Sequence, residues 1–198
     1  SEDFSDSSWI VQSGITITTN TTDTISPSGL NNANKVVSTD NTKGFYSIPA
    51  STTNDVTRTI YLKGSVGGES VTFKDGGGFG GSVTHTLTTE WARYEFKTTN
   101  DGNIYKGLYI DDISVGTIYA WGAQVEEQSY PTSYIPTSGT TVTRNQETCI
   151  NATPEINSEE GVLYFEGSAL VNGDTSRIIG LSDGTNDNLI YIRFDLTA

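Results

Sequence analysis

The sequence predicts an all-β protein: a jelly-roll β-sandwich, then an extended arm, then a short additional β segment. Three observations predict it. Apolar residues recur with period two over most of the chain, and no apolar stripe of helical period runs beyond two turns. The composition joins 30 Thr and 10% aromatics, which favour strands, to 21 Gly, which favour turns. The period-two runs are split by Gly, Asn and Asp, as antiparallel hairpins require.

The elements follow in order. Ile15 and Ile17 alternate with Thr16 and Thr18. Val56, Arg58, Ile60 and Leu62 alternate with Thr57, Thr59, Tyr61 and Lys63. Val71 and Phe73 sit between Thr72 and Lys74, and Ala92, Tyr94 and Phe96 alternate with Arg93, Glu95 and Lys97. Ile104, Leu108 and Ile110 share one parity, and Tyr105 and Tyr109 the other. Tyr119, Trp121, Ala123 and Val125 are predicted to share one last long face. About nine strands before residue 128 fit a sandwich or jelly roll over residues 1–127 better than any α/β fold.

Residues 128–160 differ. Tyr130-Pro131-Thr132-Ser133-Tyr134-Ile135-Pro136-Thr137 has two prolines and no clean alternation, so it reads as an arm or linker whose tyrosines pack onto something. Strand patterns restart over residues 161–198. Gly161 to Glu166 and the Asn172-Gly173 turn suggest one hairpin, and Arg177–Leu181 with Leu189–Leu196 a second. Such a short piece needs a neighbour to bury against.

Charge and composition exclude several classes of function. The formal charge of −13 lacks the clustered Lys and Arg that bind phosphate backbones or anionic lipid, so neither nucleic acid nor a membrane surface is expected as partner. No stretch approaches the roughly 20 apolar residues of a membrane span. The lone Cys149 has no partner in the chain for a disulfide. The sequence has no Met, which suggests a processed chain or a fragment.

Tyr119-Ala120-Trp121-Gly122-Ala123-Gln124-Val125-Glu126-Glu127, followed by Tyr130 to Thr137, resembles a "WGAQLE…TSYIPT" signature. That signature recurs in bacteriophage tail-fibre, appendage and other virion proteins, and in a few polysaccharide-acting bacterial proteins. Phe4…Trp9, Trp91-Ala92-Arg93-Tyr94-Glu95-Phe96 and Leu108 to Ser114 resemble the opening, late and closing strands of the carbohydrate-binding-module jelly rolls. Residues from Gly161 look like the first strands of a concanavalin- or laminin-G-like sandwich. The resemblance implies a virion or sugar-facing context and places Trp9, Trp91 and Trp121 in the core.

No catalytic set stands out. His85 is the only histidine, within an alternating strand, and no Gly-x-Ser-x-Gly elbow occurs. Gly76 to Gly81 formally matches a dinucleotide fingerprint, but strands flank it on both sides where a helix must follow. It reads as a long hairpin loop or, alternatively, as a mobile rim loop carrying Phe79 toward a ligand. With 24 acidic residues, no carboxylate pair is singled out for glycosidase work.

Sugar binding needs exposed aromatic faces beside hydrogen-bonding side chains. Tyr46, Tyr61, Tyr105 and Tyr109 are the candidates, with Phe79. Each has a plainer alternative, partial burial against a neighbouring element. No cofactor is expected beyond a structural calcium. The related jelly rolls often hold one between first and last strands, which would make Asp112, with Glu2 or Asp3, its ligands; a solvated strand end is the alternative.

The sequence is thus read as a non-enzymatic virion protein, extracellular, which presents a glycan-binding-like sandwich to the host surface. Its expected partners are a host-surface glycan, other virion proteins and copies of itself, with a trimer favoured. The alternatives are a binding module of a polysaccharide-degrading enzyme, or a purely structural virion protein without a sugar ligand.

Overall fold

The computed structural model describes residues 3–48, 52–76, 81–99, 106–137, 140–143, 177–182 and 189–194. Among them are twelve strands and no α-helix. The chain divides into two compact units, Ser1–Arg144 and Asn145–Ala198. The first holds β1 (Ile10–Val11), β2 (Ile15–Thr18), β3 (Asn34–Ser38), β4 (Phe45–Ser47), β5 (Val56–Gly64), β6 (Ser70–Lys74), β7 (Ser82–Thr86), β8 (Ala92–Thr98), β9 (Leu108–Asp111) and β10 (Gly116–Glu126). Within the second, β11 (Arg177–Ser182) and β12 (Leu189–Phe194) pair antiparallel, as the predicted second hairpin requires. The predicted strand at Gly161–Glu166 and the Asn172-Gly173 turn lie outside the described residues.

The ten strands form two antiparallel five-stranded sheets, a jelly-roll β-sandwich. Sheet I has the order β1-β4-β9-β6-β7, and sheet II the order β2-β3-β10-β5-β8. The predicted parities explain the core. Val36, Ile60, Leu62, Ile118 and Ala120 of sheet II are fully buried against Phe45, Val71, Phe73, Leu108 and Ile110 of sheet I. Phe4 and Trp9 close one edge, packing tilted against Phe45 with ring centroids 5.6 Å away in each case.

β10 departs from the prediction. Its pairing with β5 shifts between Trp121 and Gln124, a bulge where Gly122 adopts φ +63°. The bulge reverses the parity. Tyr119 and Trp121 therefore stand on the outer face of sheet II, while Ala123 and Val125 pack against the core. The three tryptophans also part company. Trp9 is buried in the core, Trp121 is buried on the outer face, and Trp91 is only half-buried, its indole N–H donating to the Ile25 carbonyl at 2.8 Å.

Arg58 follows the apolar parity of β5 into the interior and is fully buried. A guanidinium is tolerated there only if its donors are met. Nη2 meets Asp75 Oδ1 at 2.9 Å, Nη1 the Thr98 hydroxyl at 2.9 Å, and Nε the Gly107 carbonyl at 2.5 Å. The guanidinium also lies 5.4 Å from the centre of the Phe96 ring. Both side chains of the Arg58–Asp75 pair have no solvent exposure.

Replacing Arg58 with Met should therefore lower stability by about 3–5 kcal/mol, because Asp75 is left as an unpaired buried charge. Urea unfolding measures the loss. Arg58→Met/Asp75→Leu should recover most of it, and a single variant as stable as the double would refute the pairing.

Candidate functional site

Two of the sequence-predicted tyrosines meet. Phe45, Leu108 and Ile110 point into the core, so Tyr46 of β4 and Tyr109 of β9 point outward from sheet I. The register sets them directly opposite each other. Their rings stack with centroids 4.6 Å apart and planes 12° from parallel. Both are half-buried. Burial, then the neighbouring Tyr46, raises the Tyr109 phenol above its ordinary pKa, so the Tyr109 ring stays neutral at physiological pH.

Charged groups flank the pair. Lys74 of β6 is the register partner of Tyr109 and binds Asp112 at 2.7 Å and Asp111 at 3.1 Å. Burial opposes the Lys74 charge, but the hydrogen bonds to Asp112 and Asp111 outweigh it and hold its pKa above the usual value. In a continuing strand, adjacent residues would point to opposite faces. β9 ends at Asp111, however, and Asp112 turns into the left-handed region at φ +45°, so both carboxylates reach the same ammonium.

Lys74 thus sits where the calcium reading places a cation. Asp3 bonds locally, its carboxylate accepting from the Ser5 N–H at 2.8 Å and hydroxyl at 2.6 Å. Among the described residues no group of three or more His, Cys, Asp or Glu could hold a metal ion. Glu2, Phe79 and Tyr105 lie outside the described residues.

Tyr61 has a different setting. It faces outward from sheet II, 5.4 Å from the Trp121 ring, with the Arg93 guanidinium 5.8 Å from its own. The arm's first residues cross this face. Tyr134 lies 4.6 Å from Trp121, Arg93 Nη1 donates to the Thr132 carbonyl at 2.7 Å, and the Thr57 hydroxyl donates to the Gln128 carbonyl at 2.7 Å. Thr57 and Thr59 are consequently buried although they stand on the outer face. Of the arm's two tyrosines Tyr134 packs and Tyr130 is exposed, and Tyr61 becomes part of the bed for the arm's described residues.

A groove missed by the sequence reading opens at the sandwich edge. Its volume is about 1030 Å³. Its apolar lining includes Leu108, Ala123, Val125 and Ile135, with Trp9, Ile48 and Val142; its polar lining includes Asp6 to Ser8, Glu126 to Gln128 and the threonines between 132 and 143. Segments far apart in sequence build it, and the bulge in β10 turns Ala123 and Val125 toward it. No local pattern announces such a site.

His85 of β7 packs between Phe73 and Tyr94, each ring centroid 4.9 Å away. Its Nε2 is buried without a hydrogen-bond partner, and burial lowers its pKa from 6.5. Nothing here equips it as a base for a hydroxyl or thiol nucleophile.

No protein-family model and no curated protein matches the sequence. Several solved structures are similar. A CBM4 carbohydrate-binding module is 15% identical, covers 58% of this chain and 86% of its own, and gives a TM-score of 0.41. The CBM6 module of Cellvibrio mixtus lichenase 5A, solved with cellotriose, is 20% identical over 59% of this chain and 89% of its own, with a TM-score of 0.37. The enzymatically active domain of tailspike protein 4 of bacteriophage CBA120 is 13% identical, covering 60% of this chain and 19% of that one, with a TM-score of 0.39.

The neutral His85 gives a pH signature. The unfolded chain takes up a proton near pH 6.5, whereas the folded chain does so only at lower pH. Its contribution is complete above that value and is lost as pH falls below it. Urea midpoints at about pH 7.5 and about pH 5.5 should fall for the natural chain, and His85→Phe should flatten the difference.

Proposed function

We propose that this chain is a non-enzymatic adhesion protein of a virion appendage, a fibre or spike component that holds host-surface glycans outside the cell. The observation that carries the reading is the stacked Tyr46–Tyr109 pair on the outer face of sheet I, edged by Lys74 and Asp111. A pyranose presents an apolar C–H face to an aromatic ring and hydroxyls at its rim. Each ring keeps one face turned away from its partner, and the ammonium and carboxylates beside them supply donors and acceptors for the rim. The WGAQ…TSYIPT resemblance supports the virion setting, and the charge of −13 supports a surface that resists nonspecific adhesion.

One such site binds weakly. Repeated copies on a particle turn weak sites into firm attachment by raising the effective concentration of the second contact. Homotrimeric assembly, and attachment of the trimers to other virion proteins, would provide the copies. The tyrosine pair is built within one chain, so a binding module of a polysaccharide-degrading enzyme is the second reading.

Two measurements test the proposal. On an immobilised glycan panel, Tyr46→Ala/Tyr109→Ala should lose binding by about tenfold or more, equivalent to roughly 1.4 kcal/mol. Unchanged capture would remove the tyrosine pair from the site. Light scattering of the intact chain should give about three times the chain mass of 21.3 kDa. A monomer would shift the reading to the detachable module.

A further inference from the structure

The groove at the sandwich edge is separate from the tyrosine pair, and its lining is two-sided. Leu108, Ala123, Val125 and Ile135 are apolar. Around them stand hydroxyls, including those of Ser7, Ser8, Thr137 and Thr141, and the carboxylates of Asp6 and Glu127. Among the described residues the lining contains no Lys, Arg or His. At about 1030 Å³ it lies at the top of the roughly 300–1,000 Å³ range of small-molecule sites, room for more than a single small ring.

Each feature restricts the ligand. A wholly apolar guest would desolvate the carboxylates and hydroxyls without replacing their hydrogen bonds with water. An anionic guest would meet carboxylates of its own sign and, among the described residues, no cation to offset them. What remains is a molecule with apolar C–H faces, hydroxyl rims and no charge. The groove's own polar groups are partly committed already. Gln124 Oε1 accepts the Ile135 N–H at 2.9 Å, and Glu126 accepts the Thr132 N–H at 3.0 Å, which fixes the arm as one wall. Asp6 accepts the Ser8 N–H at 2.9 Å, which fixes the opposite turn. Both walls are therefore formed before any ligand arrives, which lowers the ordering cost of binding.

We infer that this groove is a second saccharide site, selective for uncharged oligosaccharides over uronate- or sialate-bearing ones. The choice of saccharide as ligand class rests on the glycan-binding reading above; the charge selectivity rests on the groove alone.

The test uses the intact chain and its Tyr46→Ala/Tyr109→Ala variant, which isolates the groove. Calorimetric titration compares neutral gluco-, xylo-, galacto- and manno-oligosaccharides with oligogalacturonates of matched length. The variant should retain binding of at least one neutral series and prefer it over oligogalacturonate by about tenfold or more. Thr141→Arg, at an exposed position of the wall, should shift that ratio toward the anion by a similar factor. If the natural chain binds neutral sugars and the tyrosine-less variant binds none, the groove falls and the tyrosine site stands. If oligogalacturonate binds the variant as well as neutral sugars do, the selectivity falls. If the ratio ignores Thr141→Arg, the location falls. If neither chain binds any saccharide, the glycan reading falls with the groove.

Discussion

The Arg58 guanidinium sets the geometry of one end of the sandwich. Its donors reach the end of β8 at Thr98, the residue after β6 at Asp75, and the carbonyl of Gly107 just before β9. Both sheets are tied to one charge where the β4–β5, β6–β7 and β8–β9 connections leave the sandwich. A charge buried without these partners would cost several kcal/mol, so strand ends and charge hold one another in place. Gly107 is part of the arrangement, since a Cβ there would lie 2.4 Å from the Ser47 carbonyl oxygen. Tyr109 follows two residues later, and its placement opposite Tyr46 depends on this close approach of β9 to β4.

The outer face of sheet II answers a different requirement. The described residues of the arm include prolines at 131 and 136 and pair with no strand, so their backbone N–H groups need side-chain acceptors. Glu126 accepts from the Thr132 N–H and hydroxyl, and Gln124 from the Ile135 N–H. Tyr134 packs on Trp121, and Gly122 leaves space for Tyr134 and Tyr61 to approach. Trp121–Glu127 and Thr132–Thr137 are thus complementary surfaces. One supplies the floor and acceptors, the other the extended chain they hold. This contact gives both segments a structural role independent of any ligand.

Much of the sandwich was legible because one face of each strand is buried, and burial writes itself as period two. β5, β6, β8 and β9 show this, and even Arg58 was assigned the correct face. What periodicity cannot carry is the partner across the sheet. Nothing in the sequence pairs Arg58 with Asp75, or Tyr46 with Tyr109, because each contact depends on non-consecutive strands. Tyr61 shows the converse error. Its parity marked it as outward, which it is, but an outward residue is exposed only if nothing crosses it, and the arm does. Lys74 likewise carried no sign that it would neutralise both Asp111 and Asp112. The edge groove depends on four separate segments and one irregular strand, so its components could be named only after folding.

That irregular strand joins the two outer features of the sandwich. Without a bulge, Trp121, Ala123 and Val125 would point the same way, and an apolar stripe would run along one face of β10. The shift at Gly122 divides it. Trp121 stays outward beneath the arm, Gln124 and Glu126 follow it outward to hold the arm's backbone, and Ala123 and Val125 turn inward toward the core and the groove. A φ of +63° is accessible to glycine at little cost and to most other residues only with strain. The same inversion therefore positions the clamp for the arm and the apolar side of the groove, and the arm, once clamped, lends Ile135 and Thr137 to that groove. Arm docking and groove formation are consequences of a single local departure from strand geometry, so neither can change without the other.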